Sequence, residues 1–313
     1  MEYFVVSLLN GVVYGLLLFM VSAGLTLIFG MMGVLNFAHA SFYMIGAYCA
    51  YALTGRIGFG SALVVSTVVV GLLGVAVERG MLRRVHRYGH AQQLLLTFGL
   101  AFIIAEAVKL VFGNYPVDYA IPRGLNVPAF RVFGTDYPLY RVLMGGVSVA
   151  MFGAIYALLA RTRVGLVVRS ALHRPKMAEA LGHNVQLVFT AVFGVGAALA
   201  GLAGAVAGAF YTTNPNMALE LGVLVFVVVV VGGLGSLEGA MIASILIGLV
   251  SSFSVGLDTS LADLFGVFGA RAWAERAGGL LTVKISSVAA TLPFALMLLV
   301  LLVRPSGLRG EEG

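Results

Sequence analysis

Long apolar runs separated by short polar turns dominate the chain. They lie at approximately 4–30, 37–54, 61–80, 92–112, 139–160, 187–210, 219–231, 240–256 and 287–303. Runs of about 20 apolar residues match the roughly 30 Å hydrocarbon core of a bilayer. The pattern therefore predicts an all-α, polytopic transmembrane helical bundle of eight or nine hydrophobic segments. Segments 219–231 and 240–256 are short, and read either as full spans or as a broken, partly re-entrant pair. One interruption stands out. The first run ends at Gly30-Met-Met-Gly33, a polar cluster Asn36-Phe-Ala-His39 follows, and a second run leaves from Ser41. A break at membrane depth frees backbone groups that lipid cannot satisfy, so these must face protein or a wet cavity. Asn36 and His39 either cap the second helix or serve a polar path.

Composition agrees with this class. Of 313 residues, 60% are hydrophobic and 10% charged, and the mean hydropathy is +1.03. No soluble domain of this length hides so much apolar surface. The 41 glycines suit close helix packing in lipid. The lone Cys49 excludes a disulfide framework and a cysteine metal site, and no cofactor is expected. Met1-Glu2-Tyr3 lacks the positive region of a signal peptide, so the first run reads as a retained span.

The net charge of +6 comes from dispersed basic residues, which points to loops on a bilayer and not to nucleic acid. Loops 79–91 and 161–186 and the tail hold eleven Lys and Arg, against seven in the remaining loops. Basic excess marks the cytoplasmic side, and nine crossings would then place the N-terminus outside. Residues 113–138, rich in turn formers, read as an irregular external segment. Residues 257–286 contain an amphipathic helix capped by Ser260, with Leu261, Leu264, Phe265 and Phe268 on one face, ending at Gly278-Gly279. With Trp273 at an interfacial position, this insertion lies on the membrane and does not span it.

Few ionisable residues fall inside the runs. Glu106 and Lys109, three apart, share a helix face and read as a structural pair. Glu220 begins a run near the outer face. Gly196, Ala200, Gly204 and Gly208 form a small-residue stripe that brings helices close. Two cytoplasmic stretches carry more. In 161–186, Pro175 opens a short helix, Lys176 to Leu181, which Gly182 closes; this basic knob is either a docking element or a solvated loop. In Gly232-Gly-Leu-Gly-Ser-Leu-Glu-Gly239, the lysine and Ser/Thr of a phosphate loop are missing, and the chain nowhere carries that motif, H-E-x-x-H or G-x-S-x-G. The chain is accordingly not expected to be an enzyme.

GLTLIFGMMGVLNFAHASFYMIGAY, TRVGLVVRSALHRPKMAEALGHN, GGLGSLEGA and the terminal RPSGL, in this order, resemble the permease (H-type subunit) of the branched-chain amino acid ABC importers over nearly the whole chain. The resemblance implies a single permease domain, 1–313, in the bacterial inner membrane. It implies a second homologous permease subunit, two cytoplasmic ATP-binding subunits that supply the hydrolysis, and an external solute-binding protein. It makes Gly30, Gly33, Asn36, His39 and Ser41 candidates for the translocation core. Arg169, Arg174, Lys176, Glu179, Gly182, Asn184, Gly233, Gly235, Ser236 and Glu238 become candidates for coupling to the ATPases. Two features depart from the pattern: the 257–286 insertion, and His183 where the family commonly has isoleucine. Related permeases carry urea or short amides, which stays an alternative, and a passive small-solute channel is the competing class.

Overall fold

A computed structural model describes residues 2–310 except 34, 133, 174, 258, 261–262, 264–272, 274–275, 277–278 and 280–281. The chain forms α1 (Glu2–Met32), α2 (His39–Ile57), α3 (Phe59–Val77), a π-helical turn (Glu78–Leu82) and the short α4 (Arg83–Val85). These are followed by α5 (His90–Phe112), α6 (Leu139–Arg161), α7 (Arg163–His173), α8 (Pro175–Ala180) and α9 (Val185–Ala207). The last are α10 (Met217–Gly232), α11 (Leu237–Gly256) and α12 (Leu292–Val303), the last extending a 3-10 turn, Ile285–Thr291. Each predicted run coincides with one helix. Seven helices are long and apolar enough to cross a membrane among the described residues. The eight or nine hydrophobic segments are consistent with this, two of the helices falling short as full spans: α10 has only 16 residues, and α2, with its serine, threonine, histidine and arginine, is less apolar. Segment 240–256, by contrast, belongs to the 20-residue α11, long enough to cross.

The bundle is built around α1, which packs on α6, α9, α10 and α11 and is buried from Leu16 to Ala23. Glycines set these distances. A Cβ on Gly204 would fall on the Tyr43 carbonyl, and one on Gly201 would lie 2.7 Å from Val70 Cβ. The small-residue stripe of α9 is thus the surface against which α1, α2 and α3 close. The two basic loops meet at one end, where Arg83 donates to the Gln186 carbonyl (3.3 Å). The tail joins them there, Leu308 N–H donating to Val231 O (2.9 Å).

The opposite end corrects one expectation. Residues 113–138 are not wholly irregular: β1 (Pro128–Val132) and β2 (Thr135–Pro138) pair as an antiparallel hairpin, with Gly134 at φ +90° in the turn. The flanking prolines hid two short strands whose pairing also depends on contact with the helix ends. Glu106 and Lys109 pair at 2.7 Å near the outer end of α5, the carboxylate side chain well exposed. The helix expected in 257–286 lies largely outside the described residues. At its start Ser260 N–H donates to Asp263 Oδ2 (2.8 Å) and Asp263 N–H donates to Ser260 Oγ (3.3 Å), a reciprocal cap. Trp273 is exposed.

Candidate functional site

Helix α1 stops at Gly33, whose φ of +64° lets its N–H reach back to Phe29 O (2.8 Å), an αL cap. The chain does not continue outward from there. It climbs back into the bundle, and His39, the first residue of α2, places Nε2 3.0 Å from Val21 O. Val21 lies eleven residues before the end of α1, or about 16 Å along it at 1.5 Å per residue. The turn is therefore a re-entry to membrane depth. Phe37 N–H donates to Thr97 Oγ1 of α5 (3.3 Å), which holds it laterally.

Asn36 and His39 lie together at the start of α2. Asn36 Oδ1 accepts from Ala38 N–H (3.0 Å), an Asx turn just ahead of α2, whose N-cap residue Ala38 receives no side-chain cap. Its Nδ2 has no hydrogen-bond partner although the side chain is buried, and the same is true of His39 Nδ1. A carbonyl only accepts, so Nε2 carries the proton and donates to Val21, leaving Nδ1 of a neutral ring as an unused acceptor. Ser41 is buried in the first turn of α2. A cavity of about 220 Å³ opens beside this turn. Asn36, His39 and Ala40 line one wall, Phe98 and Phe102 of α5 another, and Gly222, Val223 and Phe226 of α10 the third.

At the far end two adjoining cavities of about 200 and 700 Å³ share Tyr14, Tyr211 and Leu224. Glu220 lines the smaller, and Arg141 the larger. Arg141 donates to Asn10 Oδ1 and stacks 5.0 Å from the Phe210 ring. Burial pushes the Tyr137 hydroxyl above its ordinary value, with the nearby Arg141 charge opposing.

The candidate coupling residues divide into two groups. α8 begins at Pro175 as expected, and Gly182 at φ +86° ends it, donating to Glu179 O (2.9 Å). Lys176 and Glu179 are exposed, while Ala178 is buried with Ala171 and Val185. The knob is thus seated on α7 and α9 by its apolar side. Asn184 caps α9 through Oδ1 and Leu187 N–H (3.0 Å). Arg169 lies on α7, and Arg174 lies outside the described residues.

The glycine motif sits elsewhere at this end. Gly233 (φ +102°) and Gly235 (φ +85°) form a tight turn, and Ser236 caps α11 by accepting from Gly239 N–H (3.1 Å). The tail fills the turn: Arg309 N–H donates to Gly232 O (3.0 Å), and Arg309 pairs with Glu238 at 3.4 Å. A Cβ on Gly235 would come within 3.2 Å of Gly30 Cα, so the two glycine breaks touch.

One cluster was not anticipated. Glu78, buried in the π-helical turn, accepts from Thr190 Oγ1 of α9 (2.6 Å) and pairs with Arg83 at 3.4 Å. Arg83 also donates to Thr190 (2.6 Å). This clamp fixes the end of α3 to α9. Thr190 lies more than a hundred positions from Glu78 and Arg83, so a sequence offers only a weak hint: a lone acid, Glu78, where an apolar run meets an arginine-rich loop.

The family model described as branched-chain amino acid transport system / permease component matches residues 7–301. The high-affinity branched-chain amino acid transport system permease protein LivH of Escherichia coli (strain K12) is 28% identical, covering 99% of this chain and 96% of its own. BraD of Pseudomonas aeruginosa, which bears the same description, is 29% identical over 97% and 95%. Among solved structures, PsaBC from Streptococcus pneumoniae in complex with Fab is similar at a TM-score of 0.46 and 12% identity, covering 95% of this chain and 91% of that one.

Proposed function

This chain belongs to the branched-chain amino acid transport system permease family, and on that premise we propose that it is one of two homologous permease subunits in an ATP-driven importer of the bacterial cytoplasmic membrane. An external binding protein delivers amino acids with apolar side chains. Two cytoplasmic ATP-binding subunits press on the α7–α8 knob through Arg169, Arg174, Lys176, Glu179, Gly182 and Asn184, and reach the Gly233–Glu238 turn at the same end of the bundle. The helices rock between outward- and inward-open packings, an alternating-access scheme. The turn from Gly30 to Ser41 is the part of the translocation core that this chain contributes.

The observation that carries this reading is the re-entrant turn. It brings two buried, incompletely bonded polar side chains to membrane depth, against a cavity shared by helices from both halves of the chain. Buried polar atoms without partners are costly, and so are conspicuous where nothing structural uses them. The exposed Lys176 and Glu179 on an apolar-seated knob support the docking role.

The test is uptake of labelled leucine and labelled urea in cells with this chain deleted or restored, all partners intact. Leucine uptake is expected to disappear on deletion and return on restoration. Loss of urea uptake alone would keep the architecture and move the substrate, whereas flux that survives energy depletion would make the chain a channel. Exchanging the charges of Lys176 and Glu179 is expected to uncouple ATP hydrolysis from uptake, with the complex still in the membrane. Unchanged substrate-stimulated hydrolysis would remove the knob from the coupling path.

A further inference from the structure

We propose that the cavity of about 220 Å³ between the re-entrant turn, α5 and α10 is a selectivity slot. It receives the branched apolar side chain of a zwitterionic amino acid while Asn36 bonds its carboxylate. The proposal rests on the importer reading above and adds where that substrate is sorted and by which residues.

The walls are almost entirely carbon. Phe37, Phe98 and Phe102 form an edge-to-face row, with ring centroids 6.1 and 4.9 Å apart. Across from them α10 presents Ala218, Gly222 and Val223. The small residues of α10 make the room. A Cβ on Gly222 would already lie 3.2 Å from Ala40 Cβ, so α10 rests on the turn at this level and any bulk there takes volume from the slot. Cavities for drug-sized ligands measure about 300–1,000 Å³; this smaller one suits a ligand of a few carbons.

Polarity enters at one edge. Asn36 is committed through Oδ1 to Ala38 N–H, which fixes the orientation of its amide and leaves Nδ2 a buried donor without a partner. His39 is a positioning residue. Its Nε2 is engaged by Val21, and its Cε1 edge stands so close to α1 that a Cβ on Gly24 would lie 2.9 Å from it. A carboxylate oxygen supplies the acceptor that Nδ2 lacks. A lipid acyl chain offers none, and would leave the donor unsatisfied in hydrocarbon. Urea, polar on every side, would meet carbon on all walls but one and lose hydration without replacement bonds. The slot is therefore matched to a ligand whose side chain is apolar and whose carboxylate stands at the Asn36 edge.

The experiment uses the whole importer in liposomes, with the same binding protein throughout. Uptake of leucine and of alanine is compared for wild type, Val223→Phe, Phe102→Ala and Asn36→Ser, after assembly of each complex is verified by size-exclusion chromatography. Val223→Phe narrows the slot and is expected to lower leucine uptake about tenfold or more relative to alanine, the scale on which apolar pockets discriminate methylene groups. Phe102→Ala widens it and should shift preference toward larger apolar side chains such as phenylalanine. Asn36→Ser retains an oxygen for the Ala38 amide and removes the amide nitrogen, so KM should rise for leucine and alanine alike. An unchanged leucine-to-alanine ratio in both Val223→Phe and Phe102→Ala overturns the slot. An unchanged KM in Asn36→Ser overturns the carboxylate contact. Unchanged selectivity with loss of co-purifying phospholipid in Val223→Phe would identify a lipid groove and also overturn the proposal. A wild-type importer that moves no amino acid overturns the importer reading itself, an outcome visible before any variant is compared.

Discussion

Two glycine-rich interruptions, 30–39 and 232–239, look alike as sequence and touch in the folded chain, yet they solve the same problem in opposite ways. At the first, a single left-handed glycine lets the chain turn inward, and the next helix starts about 16 Å up the flank of the previous one. Its polar atoms are only half satisfied, and a cavity lies beside them. At the second, two left-handed glycines close a short turn on which the C-terminal tail is bonded along its backbone. Among the described residues, no buried side-chain polar atom there lacks a partner. The lesson is that a glycine break marks a place where backbone must be rescued. The rescuer is a tail in one case, which makes a brace, and a pair of buried side chains in the other.

The largest expected difference between the two breaks is steric. Gly233→Ala puts a Cβ on the tail backbone at Gly310 as well as forcing a left-handed φ, and should cost about 3 kcal/mol, enough to lower the melting temperature and release the tail to protease. Gly33→Ala meets open space, with His90 Cε1 at 3.7 Å; only the dihedral strain of about 1–2 kcal/mol remains. Equal losses would erase the distinction between a locked turn and an open one. A second substitution separates fold from path. His39→Leu deletes one hydrogen bond and one unsatisfied acceptor together, so thermal stability should move by about 1 kcal/mol or less, while uptake falls sharply as the turn loses its anchor on Val21. Parallel losses of stability and uptake would make the turn a brace like its counterpart. The smallest effect is at the second break. Glu238→Gln breaks an exposed ion pair with Arg309, worth about 0.2–1 kcal/mol at most, and should leave melting nearly unchanged. A large loss would show the tail held by charge and not by its backbone.

Much of this was legible in advance. The helices follow from run length, because only a helix satisfies its own backbone in lipid. The short knob follows from Pro175 and Gly182, whose backbone preferences act locally. The small-residue stripe of α9 announced a close contact, since a face without side chains has little else to offer. The β1–β2 hairpin was missed because its strands are short and flanked by prolines. The Glu78–Arg83–Thr190 clamp was missed because Thr190 comes from a segment far along the chain from the other two. The glycine motif drew attention as a candidate for coupling; that the tail bonds along its backbone was not legible, because the contact is carried by main-chain groups that no residue type encodes.

The sequence by itself determined the class, the order and length of the helices, the placing of the basic loops at one end and the positions where helices must stop. These are consequences of local hydropathy and dihedral preference, which each stretch carries with it. Only the tertiary structure decided that the first break re-enters to the level of Val21, that it shares a cavity with α5 and α10, and that the second break is sealed. Those outcomes depend on which unsatisfied group meets which partner across the bundle. That pairing is fixed when all the helices pack at once, and not by any one of them.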